Sequence, residues 1–136
     1  MAFSSLRTLL GAGAVSGSIA VFGGGTTGSN SNVLDQVNIS SLADATSWGT
    51  LVRTCAYLGA CSSGANDKGL FMGGDTSGVY GKPVDAITIS NPSGGSSDWG
   101  DLHNVHAYTM AGASNGTGDV GVACFTLWAS GLFQRH

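Results

Sequence analysis

The chain is 136 residues long, holds 23 glycines against 2 prolines, and carries a formal net charge of −3 with only 10% charged residues. That length suits one compact domain and not two ordinary ones. Its basic residues, Arg7, Arg53, Lys68, Lys82 and Arg135, are scattered, so no cationic stripe exists for a phosphate backbone and nucleic-acid binding is not expected. All eight acidic residues are aspartates. Without Glu and with little Lys, the usual residues of solvated helix faces are missing, while Gly, Ser, Thr, Asn and Val supply strands and tight turns. The expectation is an all-β chain. So few charges on so apolar a chain also imply that a partner covers much of its surface.

In chain order, Phe3 to Leu6 looks like the end of a strand, and Leu9 to Gly17 like a small-residue strand. The apolar stretch Leu9 to Val21 has some features of a signal peptide. Gly11, Gly13 and Gly17 interrupt it, and a repeat accounts for it better. No segment is long and apolar enough to span a membrane. Ala20 to Gly25 (AVFGGG) returns as Gly69 to Gly74 (GLFMGG). Val33 to Ser40 (VLDQVNIS) returns as Pro83 to Ser90 (PVDAITIS). Trp48-Gly49-Thr50-Leu51 returns as Trp99-Gly100-Asp101-Leu102, and Tyr57 to Gly64 as Tyr108 to Gly116. Four blocks in one order, about fifty residues apart, define an internal repeat.

Each block has a physical reading. Tyr57 to Cys61 and Tyr108 to Ala113 are rich in Ala and Gly, as a crowded innermost strand requires. Val21-Phe22 and Leu70-Phe71 are short apolar runs that suit a strand buried on both faces, and the glycines after them permit a turn of positive φ. Asp35 to Ile39 and Asp85 to Ile89 alternate apolar and polar, as a strand with one buried face does. The fourth strand carries the Trp. The approximate units are 8–51 and 56–102, with partial strands at 1–7 and 107–136, in a single segment spanning 1–136. Val120 to Phe125 reads as a further second strand, and the tail Thr126 to His136 as part of another. A lone four-stranded sheet cannot bury its two faces, so it must stack on copies of itself.

These residues resemble kelch-type repeats: an apolar strand ending in Gly-Gly, a variable loop, an alternating strand, and a Trp near the end of the unit. The resemblance runs from about Ile19 to Gly116. The pattern is similar to degenerate kelch-like repeats of bacteriophage structural proteins, including tail-fibre and capsid-associated ones. It implies a β-propeller with four antiparallel strands per blade. Two units cannot close a ring that needs about four to eight blades. Homo-oligomerisation is therefore expected to complete it, with six blades favoured, as a homotrimer of two blades per chain or, alternatively, a homodimer of three composite blades.

No catalytic constellation is visible. His103 and His106 stand three apart, on opposite faces of any strand, which suits a loop or interface better than a metal. Asp35 and Asp85 repeat with the unit, so they read as structural acceptors of backbone N–H groups rather than as a catalytic pair. Asp75 and Asp98 read as lone loop carboxylates, and Cys55, Cys61 and Cys124 as buried free thiols. Gly23 to Gly25 lacks the Lys-Ser/Thr and helix of a phosphate loop. No catalytic, cofactor or metal residue is assigned, and no cofactor is expected. Trp48 and Trp99 are the candidate glycan or interface contacts, either packing between sheets or stacking on sugars. The expected function is non-enzymatic: a virion component decorating or stabilising a capsid or tail, assembled in the host cytoplasm. Its partners would be itself, a major capsid or tail protein, and host surface glycans. The alternative is a small oligomeric propeller lectin.

Overall fold

The computed structural model describes residues 18–63, 66–76, 79–103, 110–114 and 121–125. The expected strands at 3–6 and 9–17 and the tail after Phe125 lie outside the described residues. Within them the chain is all-β, apart from a 3₁₀ turn at Pro92–Gly94. Strands β1 (Ile19–Gly23), β2 (Ser31–Asn38) and β3 (Thr46–Cys55) form one antiparallel sheet in that order. Strands β4 (Gly59–Ser63), β5 (Lys68–Met72), β8 (Pro83–Thr88) and β9 (Ser97–Asp101) form a second, also antiparallel. A short hairpin, β6 (Asp75–Thr76) with β7 (Val79–Tyr80), is inserted between β5 and β8. Strands β10 (Met110–Ser114) and β11 (Gly121–Phe125) pair with each other. None of these sheets closes on itself.

The repeat is a repeat of pairing and not only of letters. β1 pairs with β2 through Ile19–Asn38 to Gly23–Leu34; β5 pairs with β8 through Lys68–Thr88 to Met72–Val84, which are the same repeat positions. The next pairing slips at Leu34/Asp35 in the first unit and at Val84/Asp85 in the second. A bulge at Trp48 and at Trp99, next to Gly49 and Gly100 at positive φ, thus recurs in place. The Gly-Gly turns recur too, with φ of 70° and 103° at Gly24 and Gly25, and 64° and 91° at Gly73 and Gly74. A side chain at Gly74 would put its Cβ 2.6 Å from the Ala56 carbonyl oxygen, so the turn needs glycine for space as well as for φ.

The two large sheets face each other. Leu34, Trp48, Leu51 and Cys55 from the first meet Phe71, Ile87 and Ile89 from the second, forming the main core. Ile19 and Val21 of β1 pack against the same cluster. The opposite face of the second sheet holds a smaller cluster, Met72 and Val84 with Cys61, Leu70 and Leu102. The β10–β11 pair abuts β4 on small residues: a Cβ at Gly121 would lie 2.9 Å from the Cys61 Sγ, and one at Gly112 would collide with the Ala60 carbonyl. Glycine and alanine are what let these backbones approach so closely. Phe71 is buried as expected, whereas Phe22, its counterpart, is 61% exposed. The expectation of burial on both faces fails at Phe22 because, among the described residues, the first sheet has a stacked neighbour on one side only.

Candidate interaction surface

Trp48 and Trp99 occupy the same repeat position and meet opposite fates. Trp48, on β3, is 2% exposed. Its indole Nε1 donates to the Ile89 carbonyl at 3.1 Å, across the gap between the sheets. That satisfies the only polar atom of a ring otherwise packed in hydrocarbon. No ring face is left for a sugar, so of its two expected roles Trp48 takes the packing one. Trp99, on β9, is 57% exposed. Lys68 Nζ lies over its ring, 3.7 Å from the centroid. A shallow cavity of about 180 Å³ opens beside it, lined by Lys68, Ala86, Thr88, Asn91 and Ser97.

The joint between the sheets also has a polar half. Asp85, on β8, is 5% exposed. Its Oδ1 accepts from Arg53 at 2.8 Å and its Oδ2 accepts from the backbone N–H of Val52 at 3.1 Å, both on β3. The Val52 N–H is shared with Ser96 Oγ at 2.8 Å, and Ser96 N–H donates to the Thr50 carbonyl at 3.0 Å. Asp85 therefore does accept a backbone N–H, but from the neighbouring sheet rather than from its own turn. Arg53 also comes within 3.6 Å of Asp98, which stands on β9 and not in a loop. Asp75 likewise belongs to a strand, β6, and its backbone pairs with Ala56. Sequence reading missed the Arg53–Asp85 pair, since Arg53 lies on β3, past the first unit's expected end at 51, and Asp85 lies in the second unit, so only the stacking of the two sheets unites them.

The remaining candidates are plain. Asp35, the counterpart of Asp85, is half-buried on β2. His103 is exposed just after β9, while His106 lies outside the described residues. Cys55 is a buried free thiol; burial, helped by the nearby Asp85 carboxylate and opposed by Arg53, pushes its pKa up to about 11. Cys61 is free and half-buried, and burial raises its pKa as well. A second cavity, about 370 Å³, lies between β1 and the β4–β5 edge. Its wall is mainly apolar, and the carboxylate there, Asp67, is already engaged by the backbone N–H and hydroxyl of Ser90. Among the described residues no group of three or more His, Cys, Asp or Glu could hold a metal ion, and no helix is long and apolar enough to cross a membrane. The chain matches no protein-family model and no curated protein sequence.

Proposed function

We propose that the chain is a non-enzymatic structural component of a bacteriophage particle, a knob of kelch-like propeller blades that is completed by copies of itself. The observation that carries the assembly part is the contrast between the two tryptophans. The same position is sealed where a second sheet stacks on it and left open where the described residues provide none. The virion part rests on the resemblance of the repeated Gly-Gly, Asp-x-Val/Ile-x-Ile and Trp-Gly blocks to phage structural repeats. On this reading three chains with two blades each encircle one axis. A homodimer with three composite blades per chain is the other arithmetic. The knob decorates or stabilises a capsid or tail. Native mass spectrometry of the purified chain tests the assembly: a discrete trimer or dimer is expected, and a stable folded monomer overturns the reading. Peptide mass spectrometry of purified particles of the virus encoding it tests the location.

A second reading is favoured by the exposed Trp99 ring beside its cavity: an oligomeric lectin that stacks sugars on that ring. Quenching of tryptophan fluorescence by simple sugars, or signal on a glycan array, would separate it from a silent structural knob.

A further inference from the structure

Building on the self-assembly just proposed, we infer that copies join by repeating the chain's own internal joint, with Trp99 of one copy seated on the first sheet of the next. The internal joint has two sides. The first sheet contributes Ile19, Val21, Leu34, Trp48 and Leu51; the second contributes Phe71, Asp85, Ile87 and Ile89. Both sides exist a second time. On the outward face of the second sheet, the counterparts of the first set are Lys68, Leu70, Val84, Trp99 and Leu102. On the outward face of the first sheet, the counterparts of the second set are Phe22, Asp35, Val37 and Ile39.

The identical register and the shared bulge ensure that these counterparts point the same way in both units. The second pair of surfaces is mainly apolar, with Lys68 and Asp35 among it, and is exposed at Trp99, Phe22 and Ile39, whereas Val84 is already buried in the smaller cluster. Phe22 is 61% and Ile39 64% exposed, against 6% and 9% for Phe71 and Ile89. The internal joint is also closed by the turn at Pro92–Gly94, whose Pro92 carbonyl lies against Gly49 of β3. Its counterpart, the loop after β2, presents a fully exposed Leu42. The β10–β11 pair lies against β4, at the opposite edge of the sheet from β9, and Trp99 on β9 is 57% exposed.

The occupant is therefore a second copy, bound head to tail. Its Ile39 carbonyl accepts the Trp99 indole N–H, and its Phe22 takes the place that Phe71 holds inside the chain. Such a contact is heterologous: two different patches meet, and the association closes only as a ring.

Two sets of variants test this on the full chain: Trp99→Ala, which blocks one patch, and Phe22→Asp with Ile39→Asp, which blocks the other. All three positions are exposed in the single chain, so circular dichroism and thermal melts should match the parent. Each variant alone is expected to run as a monomer, with association weakened at least about 30-fold, as for a buried interface tryptophan. Mixed in equal amounts, the two should form a dimer and nothing larger, since each retains one working patch. An oligomeric parent whose variants keep the parental mass, or whose blocked chains fail to pair on mixing, overturns this joint while leaving self-assembly standing. A monomeric parent overturns self-assembly itself.

Discussion

Asp85 shows how a single buried charge can tie two sheets together. Its carboxylate has one oxygen on Arg53 and the other on the Val52 N–H, both from the neighbouring sheet. Removing one partner of such a pair leaves the other desolvated and unmatched, which costs far more than the pair contributes as a whole. Asp85→Ala is expected to lower unfolding free energy by about 3 kcal/mol, whereas Asp35→Ala, at the matching half-buried position, should cost well under half of that in the isolated chain. Urea unfolding of the two variants checks this, and equal losses would contradict it.

Cys55 gives a pH signature of the same core. The unfolded thiol ionises near 9, whereas the folded one resists until about 11 because its charged form would be buried. The folded state therefore holds the proton longer. Its stability is complete below about 9 and declines as pH rises through 11. Thermal midpoints of the parent should fall more steeply across this range than those of Cys55→Ala. Parallel slopes would show that the buried thiol does not control it.

At the scale of elements, the strands were legible because each repeated block carries its own local reason to be where it is. The alternation in Asp85 to Ile89 marks a strand, and β8 lies there, but the expectation of one buried face fails: Val84, Asp85, Ala86 and Ile87 are all buried, because Ile87 faces the main core and Val84 the smaller cluster on the other side. The Gly-Gly pairs mark turns of positive φ, and at both Gly24 and Gly74 a carbonyl oxygen stands 2.6 Å from where a Cβ would be. Gly74→Ala should destabilise by about 3 kcal/mol, from strain at φ 91° added to that collision. Gly28→Ala, with φ 101° and open space around it, should cost distinctly less. A chemical-denaturation comparison in which both cost the same would show that space around the turn is unimportant.

Other elements were not legible, for physical reasons. The β6–β7 hairpin is two residues deep on each side, too short for any period to register. The innermost strand of the second unit begins at Gly59 rather than at Tyr57, because Tyr57 sits at φ 59° and turns the chain before it can enter the sheet. The different burial of Trp48 and Trp99 could not be read from the Trp-Gly-x-Leu block that both share. Position in the stack decides it.

For the whole molecule, the internal joint and the proposed joint between copies differ in charge. Counting from Trp99 as Arg53 counts from Trp48, the guanidinium's place falls to Asn104. On this proposal the joint between copies has no arginine at the repeat position that serves Asp85 inside the chain, and is expected to lean on Trp99, Phe22 and Ile39 rather than on a buried ion pair. Its association should survive a rise from about 0.1 M to 1 M NaCl, where exposed ion pairs are largely screened. Light scattering across that range checks it, and dissociation at high salt would point to a charged contact instead.

Gly23 bears on how many subunits such a circle would contain. The backbone of the first sheet comes close to the second there: a Cβ would collide with the Leu34 side chain and lie 2.9 Å from the Phe71 ring. Its counterpart one unit later is Met72, so in a ring of such units successive steps around the axis would not be of equal thickness. A methyl group at position 23 would act as a wedge, changing the tilt per step. Since head-to-tail chains stop growing only where that tilt brings the last copy back to the first, a wedge of one carbon would be expected to change the number of copies or leave the circle open.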